Sequence, residues 1–324
     1  MGAINVKHTG SGAAIALSSD GTSLLLDGTA VGGGGDPDLY AATAVSAVTP
    51  TATGTNAVAL GSGAVASGAL SFAFGSSGSN AAISSGSQSI SMGSYSRAYG
   101  STSIAMGYGA EASSGASGGV AIGQNSRAAG NYAVALGTSR ASGTHSFAAA
   151  IGDNSSSYGA TGSGSVAMMN YAKASGSNSG AIGFGANATG SMAHAFGAQS
   201  FSTAFSSLAL GRSCQSTADY ATSIGRGAIN PIKGSFKFSG SYFSAAGDSQ
   251  IGMYPLQIDT SDATPAVLVT DENSTPGAGT TNQVVLPNNS AYSFTGTIVA
   301  RQSAAQGTAS AAWKVEGLIR REGS

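Results

Sequence analysis

Few side chains in this sequence could do covalent chemistry, and those few do not converge. The three histidines, His8, His145 and His194, are far apart, and no two have the spacing of a metal-ligand pair. Glu111, Asp153 and Asp219 stand singly, whereas glycoside cleavage needs two carboxyl groups across one bond. Cys214 is the one cysteine, so an intramolecular disulfide is impossible. It stands where comparable segments carry a small residue, the place of a buried space-filler. Gly107-Tyr108-Gly109 lacks the strand-then-helix context of a phosphate loop. Asn154-Ser155-Ser156, Asn187-Ala188-Thr189 and Asn273-Ser274-Thr275 match the glycosylation acceptor pattern by chance. The expectation is a protein that is not an enzyme, with no catalytic residue, metal or cofactor.

One set of side chains could make contacts instead. Tyr95, Arg97, Tyr99, Tyr108, Arg127, Tyr132, Arg140, Tyr158, Tyr171 and Lys173 fall at turns or at outward strand positions. Exposed tyrosines and arginines stack on sugar rings or anchor a protein partner. Their plainer role is to cover the fold, stiffen it and keep it soluble.

The elements that would position them are written in a repeat. The tetrad apolar–small–apolar–Gly occurs as Val58-Ala59-Leu60-Gly61, Ile104-Ala105-Met106-Gly107 and Val134-Ala135-Leu136-Gly137, among others. A looser copy ends at Ala150-Ile151-Gly152, and Val166-Ala167-Met168 has lost its glycine. The closing glycines are mostly 14 residues apart, with steps of 15, 16 and 18 where turns carry insertions. A second half follows each tetrad, as in Ser126-Arg127-Ala128-Ala129-Gly130 and Ala186-Asn187-Ala188-Thr189-Gly190. Both halves alternate with period two and read as short strands, with glycine supplying the corners. One repeat is strand, turn, strand, turn: a single rung of a solenoid.

So short a rung encloses only small side chains. Val58 and Leu60 share one face and Ala59 takes the other. About twelve rungs with two large apolar residues each represent tens of kcal/mol of potential burial, at ~1.5–3 kcal/mol per side chain. A thin roll cannot hide them all, which implies self-association along a stripe.

Composition agrees. Charged residues make up 8% and mean hydropathy is positive, which is unlike a disordered chain, and glycine, 50 of 324 positions, is about twice its usual share. A net charge of −1 gives no global attraction to nucleic acid or anionic lipid. No apolar run is long enough for a membrane helix, and the opening MGAINVKHTGSG lacks the apolar core of a signal peptide.

The pattern V-A-I/L-G-x-x-A-x-A-x-G, shortened in residues 134–143, resembles the head repeat of YadA-type trimeric adhesins. The resemblance covers residues 56–229. It implies a left-handed parallel β-roll, against the usual right-handed crossover, with three rolls side by side as a homotrimer.

The flanks are different. Residues 1–31 carry two strand-like runs with turn signals at Asp20-Gly21 and Asp27-Gly28, residues 32–55 read as a Gly-rich linker and spacer, and residues 230–324 as an antiparallel β-domain. In that last part Tyr292, Phe294 and Ile298 alternate with polar neighbours, as do Trp313, Val315 and Ile319. Residues 291–321 resemble a module at the ends of bacteriophage fibre proteins, and residues 4–29 resemble the start of fibre proteins of cyanobacterial and related phages. A phage fibre is released by lysis and needs no secretion signal.

These readings give an all-β, homotrimeric roll of about twelve rungs, flanked by an N-terminal β module and a C-terminal antiparallel domain. The expected role is a rigid virion appendage supporting host attachment. The expected partners are two further copies, other virion proteins through the N-terminal module, and a host glycan or protein, with no nucleic acid and no membrane insertion. The alternatives are a glycan-degrading tailspike, which would call on Asp153 or Glu111, and a piece of a bacterial trimeric adhesin.

Overall fold

The structure is a computed structural model describing residues 4–6, 15–19, 24–26, 29–31, 48–75, 81–262, 264–271, 282–302 and 309–323. Every regular element among them is a β-strand. The chain divides into two compact units, Met1–Ser200 and Phe201–Ser324.

The first unit opens with a four-stranded antiparallel meander, Ile4–Val6, Ile15–Ser19, Leu24–Leu26 and Thr29–Val31. The linker expected at Gly32-Gly33-Gly34-Gly35-Asp36-Pro37 lies outside the described residues, as do the turn signals Asp20-Gly21 and Asp27-Gly28. Two alternating files of strands follow. The first file holds three-residue strands such as Val58–Leu60, Ile104–Met106 and Val134–Leu136; the second holds two-residue strands such as Val65–Ala66, Arg97–Ala98 and Arg140–Ala141. Each strand pairs in parallel with its counterpart one rung away, so Ile104 lies beside Ile90 and Val120, and Ala105 beside Ser91 and Ala121. The ladder already includes Thr51–Ala52, which pairs with Val65–Ala66.

Alternation decides what goes inside. The middle residue of each three-residue strand points inward and is alanine or serine: Ala73, Ser91, Ala105, Ala121 and Ala135 are fully buried. The second residue of each two-residue strand faces it across the roll, as Ala98, Ala112 and Ala128 do. Buried serines bond within the corners, as where Ser146 Oγ donates to the Gly143 carbonyl oxygen at 2.6 Å. Elsewhere the core serines pair with one another, as Ser91 and Ser96 do at 2.7 Å. An interior of methyl and hydroxyl groups this thin leaves no room for leucine or phenylalanine.

The corners explain the glycines. In the corner at residues 143–146, His145 takes the left-handed conformation (φ 55°), and Ser146 N–H closes the turn on the Gly143 carbonyl. Gly143 sits so close to the Gly162 carbonyl of the next rung that a Cβ would overlap it. At the opposite corner Gly123 has φ +117°, a conformation that side chains disfavour.

One copy of the repeat is framed differently from the sequence reading. The strand is Phe147–Ala149, in register with Val134–Leu136, and the rung does not close at Ala150-Ile151-Gly152. Residues 150–158 widen that corner, and Ile151 turns inward to become the one large, fully buried aliphatic among the described residues of this unit.

The second unit has the same two-file design. Leu208–Arg212, Thr222–Arg226 and Phe236–Ser239 form one parallel file; Phe201–Ser202, Gln215–Ser216 and Ile229–Asn230 form the other. The two units together hold thirteen rungs among the described residues. The extra one is Phe236–Ser239, which falls within the residues 230–324 read from sequence as antiparallel and carries Lys237 in place of the inward alanine. Ile251–Met253 then pairs antiparallel with it. The C-terminal part is a two-stranded antiparallel sheet, Ser290–Arg301 against Ser310–Arg321. Residues 283–286 form no strand.

Candidate contact surfaces

The outward side of the three-residue strands is apolar from rung to rung between Val58 and Leu136; farther on, Gly180 and His194 interrupt the first row. Val58, Phe72, Ile90, Ile104, Val120 and Val134 stack in register, and Leu60, Phe74, Met92, Met106, Ile122 and Leu136 form a second row two residues on. Phe74 is 48% exposed and Ile122 40%. Sequence alternation gave the pairing of positions; the structure decides the direction, with alanine in and the large groups out. An apolar stripe running over six successive rungs is a candidate interaction surface.

The two-residue strands present a different face. Arg97, Glu111, Arg127 and Arg140 follow one another in register on successive rungs, then Gly159, then Lys173. The five charged residues are half-buried, as long charged side chains along a sheet are, and Gly159 is buried. Arg127 pairs with Glu111 at 3.2 Å, and Ser113 Oγ donates to the same carboxylate at 2.7 Å. Arg140 has Arg127 as its neighbour; burial, and then the Arg127 charge, pull its pKa down. The Nε–H groups of Arg127 and Arg140 are buried without an acceptor.

The predicted aromatics occupy corners, and the structure pairs several of them. Tyr95 meets Tyr108 edge-on with centroids 5.4 Å apart, and Tyr171 bridges Tyr158 at 5.2 Å and Phe184 at 5.8 Å. Tyr132 stacks flat on His145, at 5.2 Å and 6°. Tyr108, Tyr132 and Tyr171 are exposed; Tyr95 and Tyr99 are half-buried, and Tyr158 packs on the alanine core. Tyr99, two residues after Arg97, shares the face of the charged file. The ten residues singled out in the sequence therefore divide into one charged file, with Tyr99 on its face, and three aromatic clusters at corners, not one patch. The reading missed Glu111 as a member of the file and His145 as a stacking partner. Aligning the second halves of the repeats on small–charged–Ala would have found Glu111.

In the second unit the hairpin is two-faced. Tyr292 lies opposite Ile319 and Ile298 opposite Trp313, with Phe294 and Val315 between them on the same face. Phe294 is 48% exposed and Trp313 52%. A two-stranded sheet is marginal alone, so this face needs a covering layer. Nearby, a cavity of about 160 Å³ is lined by Ile229, Pro231, Lys237, Gln250 and Tyr292, among others. Lys237 is 6% exposed, and burial pushes its ammonium down to about 8. Cys214 is fully buried and burial raises its pKa, the opposite of what a nucleophile needs.

Among the described residues no group of three or more His, Cys, Asp or Glu could hold a metal, and no helix is long and apolar enough to cross a membrane.

Residues 52–77, 84–110 and 115–139 match the YadA head domain repeat (2 copies). The match falls on the rungs that carry the apolar stripe and the start of the charged file. It supports a trimeric adhesin motif built on a parallel β-solenoid. No curated protein matches the chain.

Proposed function

We propose that the chain is a structural fibre that assembles as a homotrimer and holds its outer faces against a cell surface. The outward apolar stripe carries this reading. It repeats in register over Val58–Leu136, while the inward positions of those strands hold alanine or serine, so further copies of the chain are its natural cover. The exposed face of the C-terminal hairpin calls for the same cover. The protein works mechanically, without a reaction: parallel ladders give stiffness, and three copies give avidity to weak contacts.

The fibre belongs to a virion, attached through residues 1–31 to other virion proteins, with a host glycan or protein as its target. The similarity of residues 4–29 and 291–321 to phage fibre modules supports that placement. The head-repeat match favours a second reading equally, a segment of a bacterial surface adhesin. Native mass measurement tests the trimer, and a stable monomer would sink it. Immunogold labelling of lysate particles and of whole bacteria separates the two placements: label on particles supports the virion, and label on cell envelopes supports the adhesin.

A further inference from the structure

Residues 48–200 contain four Lys or Arg residues in all: Arg97, Arg127, Arg140 and Lys173. Every one stands at the same position, the first residue of a two-residue strand, on the outward side of that sheet. Solubility alone does not ask for this, because the corners and the other outward positions are equally open to charge and carry none of these cations. The same stretch contains two acidic residues, Glu111 and Asp153. Glu111 is already engaged by Arg127 and Ser113. A second copy of this stretch could not neutralise the file, since it brings the same excess of cations.

The geometry favours an extended anion. Arg127 and Arg140 are adjacent across one strand spacing, and Gly159 leaves a side-chain gap before Lys173. Arg140 and Lys173 are thus two rungs apart, roughly 10 Å. Hydroxyls lie beside the Arg140 to Lys173 end of the file at the position two residues on, with Ser142, Thr161 and Ser175 half-buried on the same face; Ala129 holds that position beside Arg127. At the same position on its own rung, Tyr99 sets a ring beside Arg97. Guanidinium forks bind carboxylates in a bidentate manner, hydroxyl rows suit sugar hydroxyls, and a tyrosine ring suits the face of a pyranose.

We infer that the file Arg97–Arg127–Arg140–Lys173 is a binding track for a carboxylated polysaccharide, a polyuronate lying along the roll. The inference deepens the surface-contact reading above and rests on it for its biological sense; its chemistry needs only the folded roll.

The test uses the full chain and oligogalacturonate as probe, with neutral dextran and single-stranded DNA as comparisons, followed by calorimetry at two salt concentrations. Oligogalacturonate binds, dextran does not, and added salt weakens the complex. Arg127→Gln with Arg140→Gln lowers affinity about tenfold or more, and Arg140→Lys loses less. Lys314→Gln with Arg320→Gln, on the C-terminal hairpin, leaves binding unchanged. Circular dichroism confirms that the variants keep the strand signal. No binding, equal binding by the Gln pair, or tighter binding to DNA would each overturn the track. Native mass of the same samples separates the two ideas. A trimer that ignores oligogalacturonate defeats the track alone, and a monomer that binds it through Arg140 defeats the assembly alone.

Discussion

Gly143 stacks directly on Gly162 of the next rung, with no space for a Cβ between its Cα and the Gly162 carbonyl. The same contact recurs between Gly162 and Gly176, and between Gly176 and Gly190. One type of corner is therefore closed by backbone lying on backbone, and the regular glycine is a spacing requirement as much as a conformational one.

Gly143→Ala pushes two rungs apart and costs about 1–3 kcal/mol, the usual penalty of overpacking. At Gly115 the nearest atom to an added Cβ is 3.8 Å away, so Gly115→Ala is nearly neutral. Urea unfolding of both variants checks the contrast, and equal losses would refute the stacking argument.

Ile122→Asp places a charge in the middle of the apolar stripe, at a residue 40% exposed in the single chain. The roll of one chain survives, because nothing inside it changes. Assembly fails, and native mass drops to that of one chain.

Glu111→Gln removes the carboxylate beside Arg127, in a pair whose side chains are 40% and 24% exposed. Exposed pairs of this kind are worth up to about 1 kcal/mol, so unfolding stability changes by no more than that. A larger loss would make the charged file a structural brace and weaken its role as a binding surface.

Lys237 should make stability depend on alkaline pH. Its ammonium titrates at about 8 when folded, against an ordinary 10.5. Between those values the unfolded chain binds the proton more readily, so stability rises with pH across that window. The full penalty is present below it. Lys237→Met removes a cost on the order of 3 kcal/mol at neutral pH and flattens the rise. Thermal melts of both proteins from neutral to alkaline pH test this.

Much of the roll was legible because its rule is local. Tetrads such as Val134-Ala135-Leu136-Gly137 state the strand, its alternation and its corner within four residues. The rule fails where packing over several rungs decides. Ile151 looks like a tetrad aliphatic, yet register with Val134–Leu136 moves the strand to Phe147–Ala149 and turns Ile151 inward. Phe236–Ser239 joins the ladder although Lys237 breaks the inward pattern, because backbone pairing with Thr222–Arg226 does not depend on that side chain. The contact residues were legible as types and not as a surface. Rung lengths of 13, 14 and 16 residues hide the fact that Arg97, Glu111, Arg127 and Arg140 share one column until the rungs are laid on one another.

Because each rung of the first unit bonds to the one before and the one after, its length is editable. Excising one whole period, such as residues 177–190, would bring matching edges together and shorten the rod by about 4.8 Å. Duplicating that period would lengthen it by the same increment. Such a molecule is a gauge with a fixed division, whose reach can be reset by gene slippage without redesigning any joint.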